Sequence, residues 1–114
     1  MPVALLTADG RMVCPECTIA DSMFTRMKGL LGRSELGSGE GLLLRPANSV
    51  HTAFMRFPID ILFLDRELQV LDVRESVPPW RMVARGGARA VLELGAGEVR
   101  RRGVAVSDAL RVQE

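Results

Sequence analysis

The six residues Ile59-Asp60-Ile61-Leu62-Phe63-Leu64 constrain the fold more than any other stretch of the chain. β-branched and aromatic side chains favour a strand. With Asp60 as the only polar member, that strand has no face to give to water. It must be covered on both sides or lie inside a closed barrel. A carboxylate in such a strand has to be hydrogen-bonded or ion-paired, because an unpaired buried charge is costly. Arg56 is its natural partner, and a structural ion pair fixing the Phe57-Pro58 corner is the expected arrangement.

Around this strand, turn signals cut the chain into short elements. Asp9-Gly10, between Val3 to Thr7 and Arg11 to Val13, predicts a two-residue hairpin with both turn positions at positive φ. From Asp21 the period becomes helical: Met23, Phe24, Met27, Leu30 and Leu31 share a face, Asp21 or Ser22 can cap the start, and Gly32 the end. Leu42-Leu43-Leu44 is an apolar segment closed by Pro46, and Ser49 to Phe57, Ile59 to Leu64 and Leu68 to Arg74 read as successive strands. Pro78-Pro79 opens an irregular stretch. A strand at Ala90 to Leu94, a short helix or turn around Glu98 to Arg102 and a last strand within Val104 to Val112 follow. Nothing divides the chain, so residues 1–114 are read as a single domain, mainly β with one or two short helices (α+β). The expected architecture is a small antiparallel barrel or strongly curved sheet plugged by the helix.

Charge and composition exclude several functions. Fifteen basic and 14 acidic residues leave a net charge of +1, too little to attract nucleic acid or an anionic membrane. Arg100-Arg101-Arg102 reads as a solvated face, since a chain without tyrosine has few rings on which to stack bases. The N-terminus lacks a basic region and a long apolar run, and no stretch has the ~20 apolar residues of a membrane span. The domain is therefore read as soluble and cytoplasmic.

Cys14-Pro15-Glu16-Cys17 is the motif closest to known chemistry. A redox pair prefers its first cysteine at a helix N-terminus, whereas this segment reads as extended. In a regular strand, residues three apart lie about 10 Å apart on opposite faces, and only a turn or bulge at Pro15 brings them together. A structural zinc site needs four ligands, and the chain holds two cysteines and one histidine. Ordinary strand cysteines, not joined to each other, are the expectation, with an intersubunit metal left open. Gly95-Ala96-Gly97 lacks the lysine of a phosphate loop and reads as a tight strand-to-helix turn.

His51, the only histidine, has no companion in any catalytic motif and is read as a structural, hydrogen-bonded residue. Pro78-Pro79-Trp80-Arg81 sets the only tryptophan beside an arginine on stiff backbone. That composition suits a binding hot spot and equally a plug closing a barrel end.

Five ordered motifs carry a resemblance: Gly29-Leu30-Leu31-Gly32-Arg33, Gly39-Glu40-Gly41-Leu42-Leu43-Leu44-Arg45-Pro46, His51-Thr52-Ala53-Phe54-Met55-Arg56-Phe57-Pro58-Ile59-Asp60, Pro79-Trp80-Arg81 and Val91-Leu92-Glu93-Leu94-Gly95-Ala96-Gly97. In this order they resemble the bacterial and archaeal family called domain of unknown function 192. The resemblance implies a small β-barrel-like domain and carries no established activity. Near the end of the pattern the family has Gly-Asp, where this chain has Ser107-Asp108.

The function expected is a non-enzymatic binding or interaction module, with no cofactor and no metal. Its ligand-binding residues are His51, Arg56, Asp60, Trp80 and Arg81, and its ligand is a small anionic molecule, a peptide or a protein. The alternative is an enzyme or metal-dependent site built from His51, Asp60 and Glu93.

Overall fold

The computed structural model describes residues 3–20, 36–53 and 55–114. The helix expected from Met23, Phe24, Met27, Leu30 and Leu31 lies outside the described residues.

Nine strands and one short helix are described: β1 (Val3–Thr7), β2 (Met12–Ala20), β3 (Glu40–Leu44), β4 (Ser49–His51), β5 (Ile59–Leu64), β6 (Val70–Val77), β7 (Met82–Ala84), β8 (Ala90–Gly95), α1 (Glu98–Arg102) and β9 (Leu110–Gln113). Seven strands form one sheet in the order β6-β5-β8-β3-β2-β1-β9, and β4 pairs with β7 in a separate two-stranded sheet.

The Ile59 to Leu64 strand lies where its composition requires. All six residues are buried, between β6 and β8, and alternate side chains enter two different cores. Leu62 and Leu64 join Leu5, Leu43, Leu92, Leu94 and Val99 on one face. Ile59, Ile61 and Phe63 join Leu42, Leu44, Val50, Phe57 and Val91 on the other. A sheet packed on both sides needs no polar face, hence the absence of alternation in β3, β5 and β8.

Of the two expected architectures, antiparallel barrel or curved sheet, the structure shows an open sheet, and its pairing is mixed. β2 and β3 run parallel, from Glu16↔Glu40 to Ala20↔Leu44. The two edges of the sheet approach each other at one isolated bridge, Gln69↔Ala109, beside the bonds Val70 N to Asp108 O (2.8 Å) and Leu110 N to Leu68 O (3.0 Å). One bridge is not a ladder, so the sheet is curved but not closed.

The first hairpin is also longer than expected. Thr7 N donates to Arg11 O at 2.8 Å, which leaves a three-residue loop of Ala8, Asp9 and Gly10. Of these only Gly10 has positive φ, at 93°. This is the pattern of a turn closed by a left-handed residue. The Thr7 hydroxyl donates to the Asp9 carboxylate and accepts from Arg11 N, so this threonine selects the longer turn.

Ser107 has φ 80°, the conformation a glycine would adopt without strain. The turn persists because the Asp108 carboxylate accepts from Ala105 N at 2.9 Å and lies 3.6 Å from the Arg11 guanidinium.

Candidate functional site

Ser49 to Phe57, expected as one strand, is a strand only over Ser49 to His51. At Thr52 the chain leaves β4, and this buried threonine fastens it to the segment after Pro79. Its hydroxyl donates to Pro78 O at 2.8 Å and accepts from Arg81 N at 2.8 Å. Its own N–H donates to Arg81 O at 2.8 Å, while its carbonyl accepts from Trp80 N at 3.1 Å. The fixed bend places Trp80 at φ 65° with its side chain outward, 62% exposed. Met82, paired with His51 across β4 and β7, is 74% exposed.

The His51 and Trp80 segments therefore do meet, as the sequence suggested, but not all the named residues gather there. Trp80 and Arg81 are exposed and adjacent. Arg56 is also exposed and, like Arg81, makes no ion pair with the described residues. His51 is half-buried, and its Nδ1 has no partner among the described residues.

Asp60 points away, into the core beneath α1. Its Oδ1 accepts from Ser76 N at 2.8 Å, and its Oδ2 accepts from Gly97 N and Val99 N, each at 3.0 Å. The anticipated partner, Arg56, is replaced by three backbone amides. Register explains the supply of donors. Ile59 faces Val77 while Ile61 faces Arg74, so β6 carries one extra residue in a bulge. That bulge, with Ser76 at φ 52°, turns a ladder amide inward. At the other end, Gly95-Ala96-Gly97 is the expected turn into a helix, and its Gly97 amide, with Val99 N of the helix, is held by Asp60.

Asp60 lies opposite Leu94, whereas Glu93 lies opposite Ile61. The two carboxylates leave opposite faces of the sheet and cannot share a metal or a substrate.

The cysteines are unjoined strand residues, as expected, but they do not lie on opposite faces. Leu5 faces Cys14 and Val3 faces Cys17, so two steps along β1 match three along β2. The bulge falls at Pro15 and Glu16, both exposed, and returns the two cysteines to one face of the sheet, where both are fully buried thiols. A hydrogen bond from the Cys17 thiol holds Cys14 below the ordinary thiol range, with the Arg102 guanidinium acting in the same direction. That contact and burial push Cys17 up.

The two best-formed surface cavities among the described residues lie elsewhere. One of about 340 Å³ is bounded by Arg45, Arg66, Leu68 and Arg89, the other, of about 540 Å³, by Glu75, Ser76, Gly97 and Arg100. Neither includes Trp80 or Arg81.

Sequence reasoning missed Thr52, Met82 and the second strand of the small sheet. The alternation through Ser49 to Met55 pointed to a continuous strand, and three residues are too few for β7 to show a period.

These features define a mainly β protein built on an open, mixed seven-stranded sheet with a two-stranded flap bearing an exposed tryptophan. Residues 4–112 match the sequence pattern of the family DUF192, described as "Uncharacterized ACR", and the chain belongs to that family. A UPF0127 protein of Thermococcus sibiricus is 32% identical over 95 residues, which are 79% of this chain and 61% of the relative. The chain thus spans about three fifths of that relative's length. A Novosphingobium aromaticivorans protein of unknown function superposes with a TM-score of 0.80 at 27% identity, covering 97% of this chain and 84% of its own. A Sinorhizobium meliloti protein provisionally described as a transcription regulator gives 0.82 at 26%, covering 96% and 91%. Among the described residues no helix is long and apolar enough to cross a membrane.

Proposed function

We propose that this domain is a non-enzymatic binding module, and that its contact surface is the bend Trp80-Arg81-Met82. The observation that carries the reading is the exposure of Trp80 on backbone locked by Thr52. Large side chains displayed on rigid backbone lose little conformational freedom when a partner docks. Exposed Trp and Met supply apolar contact, while the exposed Arg81 guanidinium supplies paired donors for a carboxylate. The partner that fits is a peptide segment carrying an acidic residue next to an apolar one.

The enzymatic alternative at His51 and Asp60 draws less support, since both oxygens of Asp60 already accept backbone hydrogen bonds. The description of the Sinorhizobium neighbour is not extended to this chain, whose net charge of +1 offers little to DNA.

The test is an array of short acidic-apolar peptides titrated against Trp80 emission, with Trp80→Ala and Arg81→Ala as controls. A binding surface gives saturable shifts that Arg81→Ala weakens about tenfold or more while leaving the melting temperature nearly unchanged. If no peptide perturbs the emission, or Arg81→Ala lowers the melting temperature instead, the surface is structural.

A further inference from the structure

Cys14 and Cys17 are separated by two residues in sequence but by one bulge in space. Their partners on β1, Leu5 and Val3, are two strand steps apart. This brings the two Cα atoms to about 7 Å, at the upper edge of the range a disulfide spans, rather than the ~10 Å of a regular strand. Both sulfurs lie on the same side of β2, within one core cluster. β3 is shaped around them. Gly41, opposite Cys17, sits where a Cβ would come within 2.6 Å of the Cys14 sulfur, so the missing side chain is the space that sulfur occupies.

The two sulfurs have different surroundings. Cys14 donates to Gly39 O at 3.5 Å beneath the Gly37 to Gly39 loop. That loop is held by the buried Glu98 carboxylate, which accepts from Gly39 N at 2.9 Å and lies 3.5 Å from the Arg102 guanidinium. Arg102 Nε is itself buried without a hydrogen-bond partner among the described residues. Cys17 lies along β2 with its thiol toward Thr18 O at 3.8 Å. Cys14 thus has a cation near it and one short loop over it.

We propose that Cys14 and Cys17 form a reversible dithiol–disulfide pair, oxidised by a hydroperoxide, with Cys14 attacking and Cys17 resolving. The Cys14 thiolate attacks one peroxide oxygen and breaks the O–O bond. A sulfenic acid forms on Cys14, and the departing oxygen takes up a proton as water or alcohol. Cys17 then attacks the Cys14 sulfur, the S–S bond forms, the S–O bond breaks, and the hydroxide leaves with the Cys17 proton as water. Two thiols and one hydroperoxide yield one disulfide, one water and one water or alcohol. Full burial of both sulfurs selects a small oxidant over a protein disulfide, because attack depends on access.

The experiment uses the full reduced chain, treated with a modest excess of hydrogen peroxide, unfolded, alkylated and weighed by intact mass spectrometry. The expected product has lost the mass of two hydrogens, binds no alkylating reagent and recovers two alkylatable thiols after reduction. Cys17→Ser, which leaves the attacker in place, should accumulate a sulfenic acid that dimedone traps, whereas Cys14→Ser should react at least about tenfold more slowly. Two thiols still alkylatable after peroxide, disulfide-linked dimers in place of the internal bridge, or a metal ion retained by the untreated protein would each overturn the proposal. The wild-type mass alone decides the matter if either variant fails to fold.

Discussion

Replacing Asp60 with alanine removes one side chain and strands three amides. Val99 N is buried, so losing its charged acceptor costs about 1.5–3 kcal/mol. Ser76 and Gly97 are themselves exposed, and water can replace part of what their amides lose, about 1 kcal/mol each. The sum is about 3.5–5 kcal/mol, a large share of the roughly 5–15 kcal/mol typical of a whole domain. Removing an ion pair can be offset by replacing both partners with apolar groups. That route is closed, because backbone amides cannot be substituted away, and Asp60→Leu should be as destabilising as Asp60→Ala despite filling the space. Asp60→Asn keeps one acceptor oxygen and should fall between them, at about 2 kcal/mol. Urea denaturation followed by far-ultraviolet circular dichroism measures the series, and a thermal scan should show losses of about 4 °C or more per kcal/mol. A loss below about 1 kcal/mol for Asp60→Ala, or a leucine variant as stable as wild type, would refute the argument that Asp60 is an internal amide clamp.

Thr52→Val removes the side-chain hydrogen bonds that join β4 to the Trp80 bend, and should cost about 2 kcal/mol and broaden the Trp80 and Met82 amide resonances. Unchanged resonances would mean that the bend is held by other contacts. Ser107→Gly relieves a left-handed non-glycine residue and should raise stability by about 1 kcal/mol, readable as a higher melting temperature. The Thr7 hydroxyl, and behind it the nearby Arg11 charge, hold the exposed Asp9 carboxyl below the usual aspartate range. A depressed folded value means that its contribution is present at neutral pH and lost only as pH falls through that lowered value. Carboxyl chemical shifts against pH should therefore show Asp9 titrating later on acidification than a free aspartate, and a normal titration would remove Thr7 from the account.

What could be read from the residues, and what could not, divides along one physical line. Side-chain chemistry specifies burial: the composition of Ile59 to Leu64 required a strand covered on both faces, and it required a partner for Asp60. It did not specify which partner. An arginine is visible in a sequence as a cation, whereas a backbone amide is present at every non-proline residue. Only register decides which amides are free. The same holds for the cysteines, whose spacing has opposite meanings in a regular and in a bulged strand. Two of the bulges, at Pro15-Glu16 opposite β1 and around Ser76 opposite β5, each add one residue to one strand and leave no mark in the hydrophobic period beyond a run of neighbouring exposed positions. Each then redirects a polar group: one brings two thiols to the same face, and the other turns an amide to Asp60. Bulges favour positions where a side chain must be re-aimed. In this protein both groups that a regular ladder would have kept apart end up in the core around α1, where Asp60 holds the helix N-terminus and Glu98 and Arg102 border Cys14. Oxidising the thiol pair would therefore change the packing beneath the same short helix that Asp60 anchors.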